Sequence, residues 1–334
     1  MTSLQTIARQ EIQHRVRPLT RNCYDGCFKF FLQFCTDKDV TPLPASEDTL
    51  LAFFALLSNV LNYKPSTLKN YRAAIVDAHA EHGFPHPINN RPSLQALFRA
   101  NRNKQPPRDQ DDKRRGFTDD QLQQLWDKED LSDANTRVLF TAVIMGHCGL
   151  LRAGEITASH QLPIQEVLNK RIRVKDVKPH FEKGSLTHLS IWLRHAKTDS
   201  NDEGQPVFMG CNGQPRCGAC LTHELLQHHH QQGSAPDDAF LQYDKNPLSY
   251  ITLLGYIKDS ARALGLDERF YSGHSLRIGG ATSLAQMDTP AWRLKAMGRW
   301  KGTTYMRYIR EAELQKNATI TQLFTKQREK DQQE

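Results

Sequence analysis

At 334 residues the chain has room for two domains that each bury a core, and 44 Lys plus Arg against 37 Asp plus Glu leave a formal charge of +7, which suits a polyanionic partner. Seven cysteines, an odd number without a signal-peptide pattern, argue against a disulfide frame and for the reduced thiols of an intracellular protein. The longest apolar runs, Leu50 to Leu57 and Val138 to Met145, fall far short of the about 20 residues that a bilayer span requires, so no membrane is expected.

The start is polar, with Gln5, Arg9, Gln10 and Glu11, and predicts no secretory leader. Apolar residues at helical spacing then follow: Tyr24, Cys27, Phe28, Phe31 and Phe34 in one series, Leu68, Tyr71, Ile75 and Ala78 in another. Ser46 before Glu47 and Asp48, and Pro65-Ser66-Thr67, are start signals, so four or five short helices are expected, ending with Leu94 to Asn103. The stretch Asn103 to Gly116 has no apolar residue to bury and reads as an exposed linker. Up to Gly116 there are 17 basic and 11 acidic residues, and beyond it 27 and 26, so the excess charge lies in the first part, where it would suit a phosphate backbone or merely a solvated surface.

Helices resume at Thr118, whose hydroxyl can cap Asp119 to Trp126, and at about Ala134 to Gly149. From Arg171 the period changes. Leu189, Ile191 and Leu193 alternate with polar neighbours, and a turn from Asp199 to Gly204 precedes Val207 and Phe208, which predicts a β-hairpin. Helices are then expected near Cys217 to His230, Leu248 to Leu264, Ser275 to Gln286, Pro290 to Met297 and Thr303 to Arg310, before a Gln- and Lys-rich tail.

Several polar groups suggest chemistry on a phosphodiester. Arg152 and Glu155 share a helix face at i, i+3, so the carboxylate can orient a guanidinium whose fork matches phosphate oxygens; a plain surface ion pair has the same spacing. Lys197, between the two hairpin strands, carries an ammonium that could protonate a leaving alkoxide, although most loop lysines are only solvated. His274 and Arg277 repeat the i, i+3 arrangement, with Gly273, Gly279 and Gly280 read as permitting close approach to a ligand. Trp300 offers a single donor or a core ring. Tyr308 is the candidate nucleophile, to be activated by cations, and Tyr305 is its rival with core packing as the alternative role. Cys211, Cys217, Cys220 and His223 could hold zinc, but only Cys217-x2-Cys220 has a common ligand spacing, and reduced, partly buried thiols are the preferred reading.

Taken in order, Arg152, Lys197, His274, Arg277, Trp300 and Tyr308 resemble the catalytic set of the tyrosine recombinases, the phage-integrase family. His274-Ser275-Leu276-Arg277-Ile278-Gly279-Gly280, Gly298-Arg299-Trp300-Lys301 and Tyr308-Ile309-Arg310 look most like recombinases of eukaryotic Crypton and DIRS mobile elements. The resemblance covers most of the chain. It implies a mainly α fold with a small antiparallel β-sheet, built as a two-domain DNA clamp. Residues 1–105 would be a helical, SAM-like core-binding domain, 106–117 a linker, and 118–334 the catalytic domain with its tail.

The resemblance also implies a 3′-phosphotyrosyl intermediate formed by Tyr308. Arg152 and Arg277 would hold the phosphate oxygens, Lys197 would be the acid, His274 and Trp300 would be donors, and Glu155 would be a support. No cofactor or metal would be needed for the reaction. Partners would be double-stranded DNA and, through Ala318, Ile320, Leu323 and Phe324, further copies in a tetramer on paired sites, with the nucleus as the expected compartment. A type IB topoisomerase, or a DNA-binding protein that has lost catalysis, are the alternatives.

Overall fold

A computed structural model describes residues 15–104, 114–158, 171–194, 203–214 and 216–309, with Leu4, Ile7, Glu11 and Ile12. The chain divides into two compact units, Met1–Asp111 and Asp112–Glu334. Most of the expected linker, with the His195 to Asn201 stretch and the tail after Ile309, lies outside the described residues.

The first unit is helical. α1 (Pro18–Asp37), α2 (Glu47–Ala55), α3 (Pro65–Glu81) and α4 (Pro92–Asn103) are joined by short turns, and a π turn over Leu56–Val60 continues α2. Prolines at the first turns of α1, α3 and α4 stand where a missing N–H costs nothing, and Ser46 Oγ caps α2 by accepting from Thr49 N at 3.0 Å. The core is aromatic: Phe53 lies against Phe31 and Phe34, with ring centroids 4.9 and 5.2 Å away, and Phe54 meets Phe98 edge-on at 4.7 Å.

The second unit is built around α6 (Ala134–Cys148), which is buried at every residue from Val138 to His147. An apolar helix without a polar face must be covered on all sides. Its cover comes from α8 (Gly218–Gln231), α9 (Tyr250–Ala263) and α10 (Gly273–Gln286). α5 (Asp119–Lys128) precedes it behind a capping box, in which Thr118 Oγ1 accepts from Gln121 N and the Gln121 side chain accepts from Thr118 N. The single turn α7 (Ala153–Ile156) follows α6, and α11 (Ala291–Gly298) follows α10.

The expected hairpin is part of an antiparallel sheet in the order β1 (Val177–Glu182), β2 (Ser185–Leu193), β3 (Gln205–Gly210). In its register Leu189 pairs with Met209 and Ile191 with Val207, all four buried on the core face. β1 was not evident in the sequence, because Pro179, His180 and Phe181 break the apolar alternation. β4 (Gln242–Tyr243) and β5 (Asn246–Pro247) form a two-residue ribbon. No helix among the described residues is long and apolar enough to cross a membrane.

One element differs in kind. In place of the helix expected from Thr303 to Arg310, the structure has a 3-10 turn over Thr304–Arg307. The Tyr308 carbonyl, which a continuing helix would use internally, instead accepts from Thr282 Oγ1 at 2.9 Å.

Candidate active site

Arg152 closes the turn between α6 and α7 as the N-cap of α7. Its Nη1 donates to Glu155 Oε1 at 2.6 Å, while Glu155 Oε2 accepts from Arg152 N at 2.9 Å. The carboxylate has a second guanidinium that no local spacing indicates: Arg299 Nη2 donates to Glu155 Oε2, also at 2.9 Å. The side chains of Arg299 and Glu155 are both buried, 6% and 5% exposed. Arg299 further donates to the carbonyls of Leu150 at 2.9 Å and Gly149 at 3.3 Å, which ties α11 to the turn that carries Arg152. Burial lowers the Arg299 guanidinium from its ordinary range, an effect that Glu155 opposes.

Arg299 can make this reach because it leaves the helix in the left-handed conformation, at φ 54°, just after Gly298. A Cβ on Gly298 would stand 1.9 Å from the Trp300 ring, so only glycine lets the indole fold back over the helix end. Trp300 joins Leu150, Ala281, Leu294 and Tyr305 in a buried apolar cluster. Its Nε1 has no hydrogen-bond partner among the described residues.

Arg277 lies at the centre of this arrangement and is fully buried. One Nη donates to the Gly298 carbonyl; Nε and the other Nη have no partner among the described residues. Its guanidinium carbon stands 4.5 Å from the Trp300 ring centroid and 5.6 Å from that of Tyr308, and the two rings are 5.0 Å apart. Burial, reinforced by Arg152 and Arg299, lowers the Arg277 pKa from 12.5 to about 9, with Glu155 and Tyr308 acting in the opposite sense. Arg152 and Arg299 thus share the Glu155 carboxylate, while the third and most buried guanidinium, Arg277, keeps two donors without a partner among the described residues. That is the electrostatics of an anion site.

His274 is exposed in the first turn of α10, one turn before Arg277. Tyr308 is half-buried, whereas Tyr305 is buried, with Lys295 Nζ 5.3 Å from its ring. The structure therefore gathers Arg152, Glu155, Arg277, Trp300 and Tyr308, and adds Arg299. Lys197 lies outside the described residues, although β2 and β3 flank it and Arg194, just beyond β2, donates from Nε and Nη2 to the two oxygens of buried Asp176 at 2.8 and 2.6 Å.

The glycines of α10 have a different role from the one expected. A Cβ on Gly280 would stand 2.0 Å from the His147 carbonyl, and one on Gly279 2.2 Å from that of Phe117. They bring α10 hard against α6 and the start of the unit, not against a ligand. His223 is not grouped with the three cysteines, and its ring lies 5.4 Å from that of Phe181.

No family model matches the chain. Among curated proteins, an integrase/recombinase xerD homolog of Selenomonas ruminantium is 23% identical over 336 residues, covering 96% of this chain and 89% of the relative. Among solved structures, the XerH site-specific recombinase bound to palindromic difH substrate in a post-cleavage complex gives a TM-score of 0.57 at 15% identity, over 88% of this chain and 76% of that one. The chain has the tyrosine-recombinase fold. An integrase of transposon Tn1549 in complex with transposon right end DNA agrees, with a TM-score of 0.55 at 13% identity over 92% and 97% of the two chains. Within that fold the cluster around Arg277 is formed by α10, the end of α11 and the turn carrying Arg152.

Proposed function

We propose that this chain is a DNA strand transferase that cleaves and rejoins duplex DNA at specific sites through a tyrosine, as an integrase or recombinase of a mobile element. The observation that carries the reading is the fully buried Arg277 guanidinium, packed beside the adjoining rings of Trp300 and Tyr308, with two nitrogen donors that have no partner among the described residues. A buried cation of this kind is costly unless an anion completes it, and a phosphodiester supplies two non-bridging oxygens.

In this reading Tyr308 Oη attacks the phosphorus, forming a P–O bond to the tyrosine as the bond to the 5′-oxygen breaks. Arg152 and Arg277 hold the non-bridging oxygens as negative charge grows, and the Trp300 N–H and His274 add donors. Lys197 protonates the departing 5′-oxygen. A 3′-phosphotyrosyl bond keeps the energy of the broken diester, so a second 5′-hydroxyl can reverse the step without a nucleotide. Glu155 fixes Arg152 and Arg299 and does not meet the phosphate. The xerD-homolog relative and the integrase and recombinase structures support the reading, and the resemblance of the His274 to Arg310 motifs to eukaryotic Crypton and DIRS recombinases is part of the same proposal. Assembly as a tetramer on two paired sites, through the segment Ala318 to Phe324, belongs to the same proposal.

The test is covalent trapping on a pool of random-sequence duplexes carrying a 5′-bridging phosphorothiolate, whose thiol leaving group cannot religate efficiently. The wild type and Tyr305→Phe are expected to form a protease-sensitive DNA adduct and Tyr308→Phe none. The reverse pattern would move the nucleophile to Tyr305; an adduct with relaxation of supercoiled plasmid but no recombinant product from two duplexes would indicate a topoisomerase. A chain that binds DNA yet forms no adduct on any duplex would be a binding protein only.

A further inference from the structure

We propose that Cys211, Cys217 and Cys220 form a three-thiolate site for a soft divalent cation, zinc being the natural candidate, that staples the end of β3 to the start of α8. The three Sγ atoms lie within 4.8 Å of one another, with Cys211 and Cys220 3.4 Å apart. Zinc–thiolate bonds of about 2.3 Å place the sulfurs of a tetrahedral site about 3.8 Å apart, so little movement is needed to admit the ion.

The three ligands come from positions that the fold already fixes. Cys211 directly follows β3, and its N–H donates to the Thr187 carbonyl at 2.8 Å. Cys217 is the buried N-cap of α8, and Cys220 lies in the first turn of that helix, so the Cys-x2-Cys pair straddles the helix start. The loop before the helix turns a backbone donor toward the same place: Asn212 N–H points at Cys217 Sγ at 3.4 Å. All three cysteines are free, and none belongs to the cluster around Arg277. His223, facing Phe181, leaves the fourth position of the tetrahedron to water or another small ligand.

A staple here would act on the sheet that frames the candidate acid. Residues between β2 and β3 include Lys197, and the site would pin the far end of β3.

The experiment uses the full-length protein purified under reducing conditions, first stripped with a chelator and then titrated with zinc or with cobalt as a spectroscopic stand-in. One zinc per chain by elemental analysis, and a cobalt spectrum with thiolate charge-transfer bands, are expected in the wild type and in Cys23→Ser. Both should be lost in Cys217→Ser and in Cys220→Ser. Should those variants fail to fold, alkylation of the wild type decides: zinc is expected to slow modification of Cys211 and Cys220 more than tenfold and leave Cys23 unaffected. Less than a tenth of an equivalent of zinc, or equal alkylation with and without the metal, would overturn the proposal. So would a Cys211–Cys220 disulfide that forms in place of metal binding.

Discussion

Replacing Arg277 with methionine is expected to stabilise the protein while abolishing strand cleavage. The side chain is fully buried, and its surroundings lower the guanidinium to about 9 from 12.5. That gap corresponds to an order of 5 kcal/mol by which the charged form is disfavoured, at about 1.4 kcal/mol per tenfold. Methionine has similar length and carries no charge. Against the relief stand the donor lost to the Gly298 carbonyl and the cation over the Trp300 ring, together about 3 kcal/mol. The net gain is about 2 kcal/mol, which for a unit of this size raises Tm by about 4–8 °C. The pH dependence has a definite sign. Between about 9 and 12.5 the unfolded chain binds a proton that the folded Arg277 has released, so wild-type stability climbs relative to the variant as pH rises through about 9. Thermal unfolding of the two proteins at about pH 7 and at about pH 10, beside the trapping assay, measures both effects. A methionine variant less stable than wild type by more than about 1 kcal/mol would refute the account, because it would show that Arg277 supports the fold and is not held there at a cost.

Glu155→Gln should cost about 3 kcal/mol, because buried Arg299 then loses its counter-charge, and should slow covalent-adduct formation at least tenfold with DNA affinity unchanged; urea titration and single-turnover trapping read the two quantities. Gly298→Ala drives a methyl into the Trp300 ring and is expected to cost about 2 kcal/mol, with loss of the near-ultraviolet tryptophan signal that a merely weakened helix end would leave intact. In the first unit, His79 Nε2 accepts from Ala45 N at 2.9 Å while Nδ1 donates to the Ile75 carbonyl at 2.7 Å, and burial holds its pKa below 6.5. Below that value the unfolded chain takes up a proton that folded His79 resists, so stability falls as pH drops. Amide exchange in α3, corrected for intrinsic rates, should therefore quicken from about pH 7 to about pH 5, and equal protection at both would count against a neutral His79.

How much of this is legible in the sequence depends on whether each feature is local. Helices announced by a cap and an apolar period, such as α5 behind Thr118 or α2 behind Ser46, appear where those signals put them, since both act within one turn. The pair Arg152 and Glu155 was readable for the same reason, the two being three residues apart. Arg299 was not, although it stands inside the Gly298-Arg299-Trp300-Lys301 motif. Its partner Glu155 is 144 positions away, and the link depends on a left-handed turn that no period announces. The one signal available was Gly298, a glycine directly before two large side chains, which marks a helix end where a ring must fold back. The 3-10 turn before Tyr308 failed in the same way, because the group that ends it, Thr282, is 26 positions upstream on α10. Both long-range bonds converge on α10 and α11 at the Arg277 cluster. The polar groups least legible in the sequence are therefore Thr282, which holds the backbone of the candidate nucleophile, and Arg299, which holds Glu155 and the turn that carries Arg152.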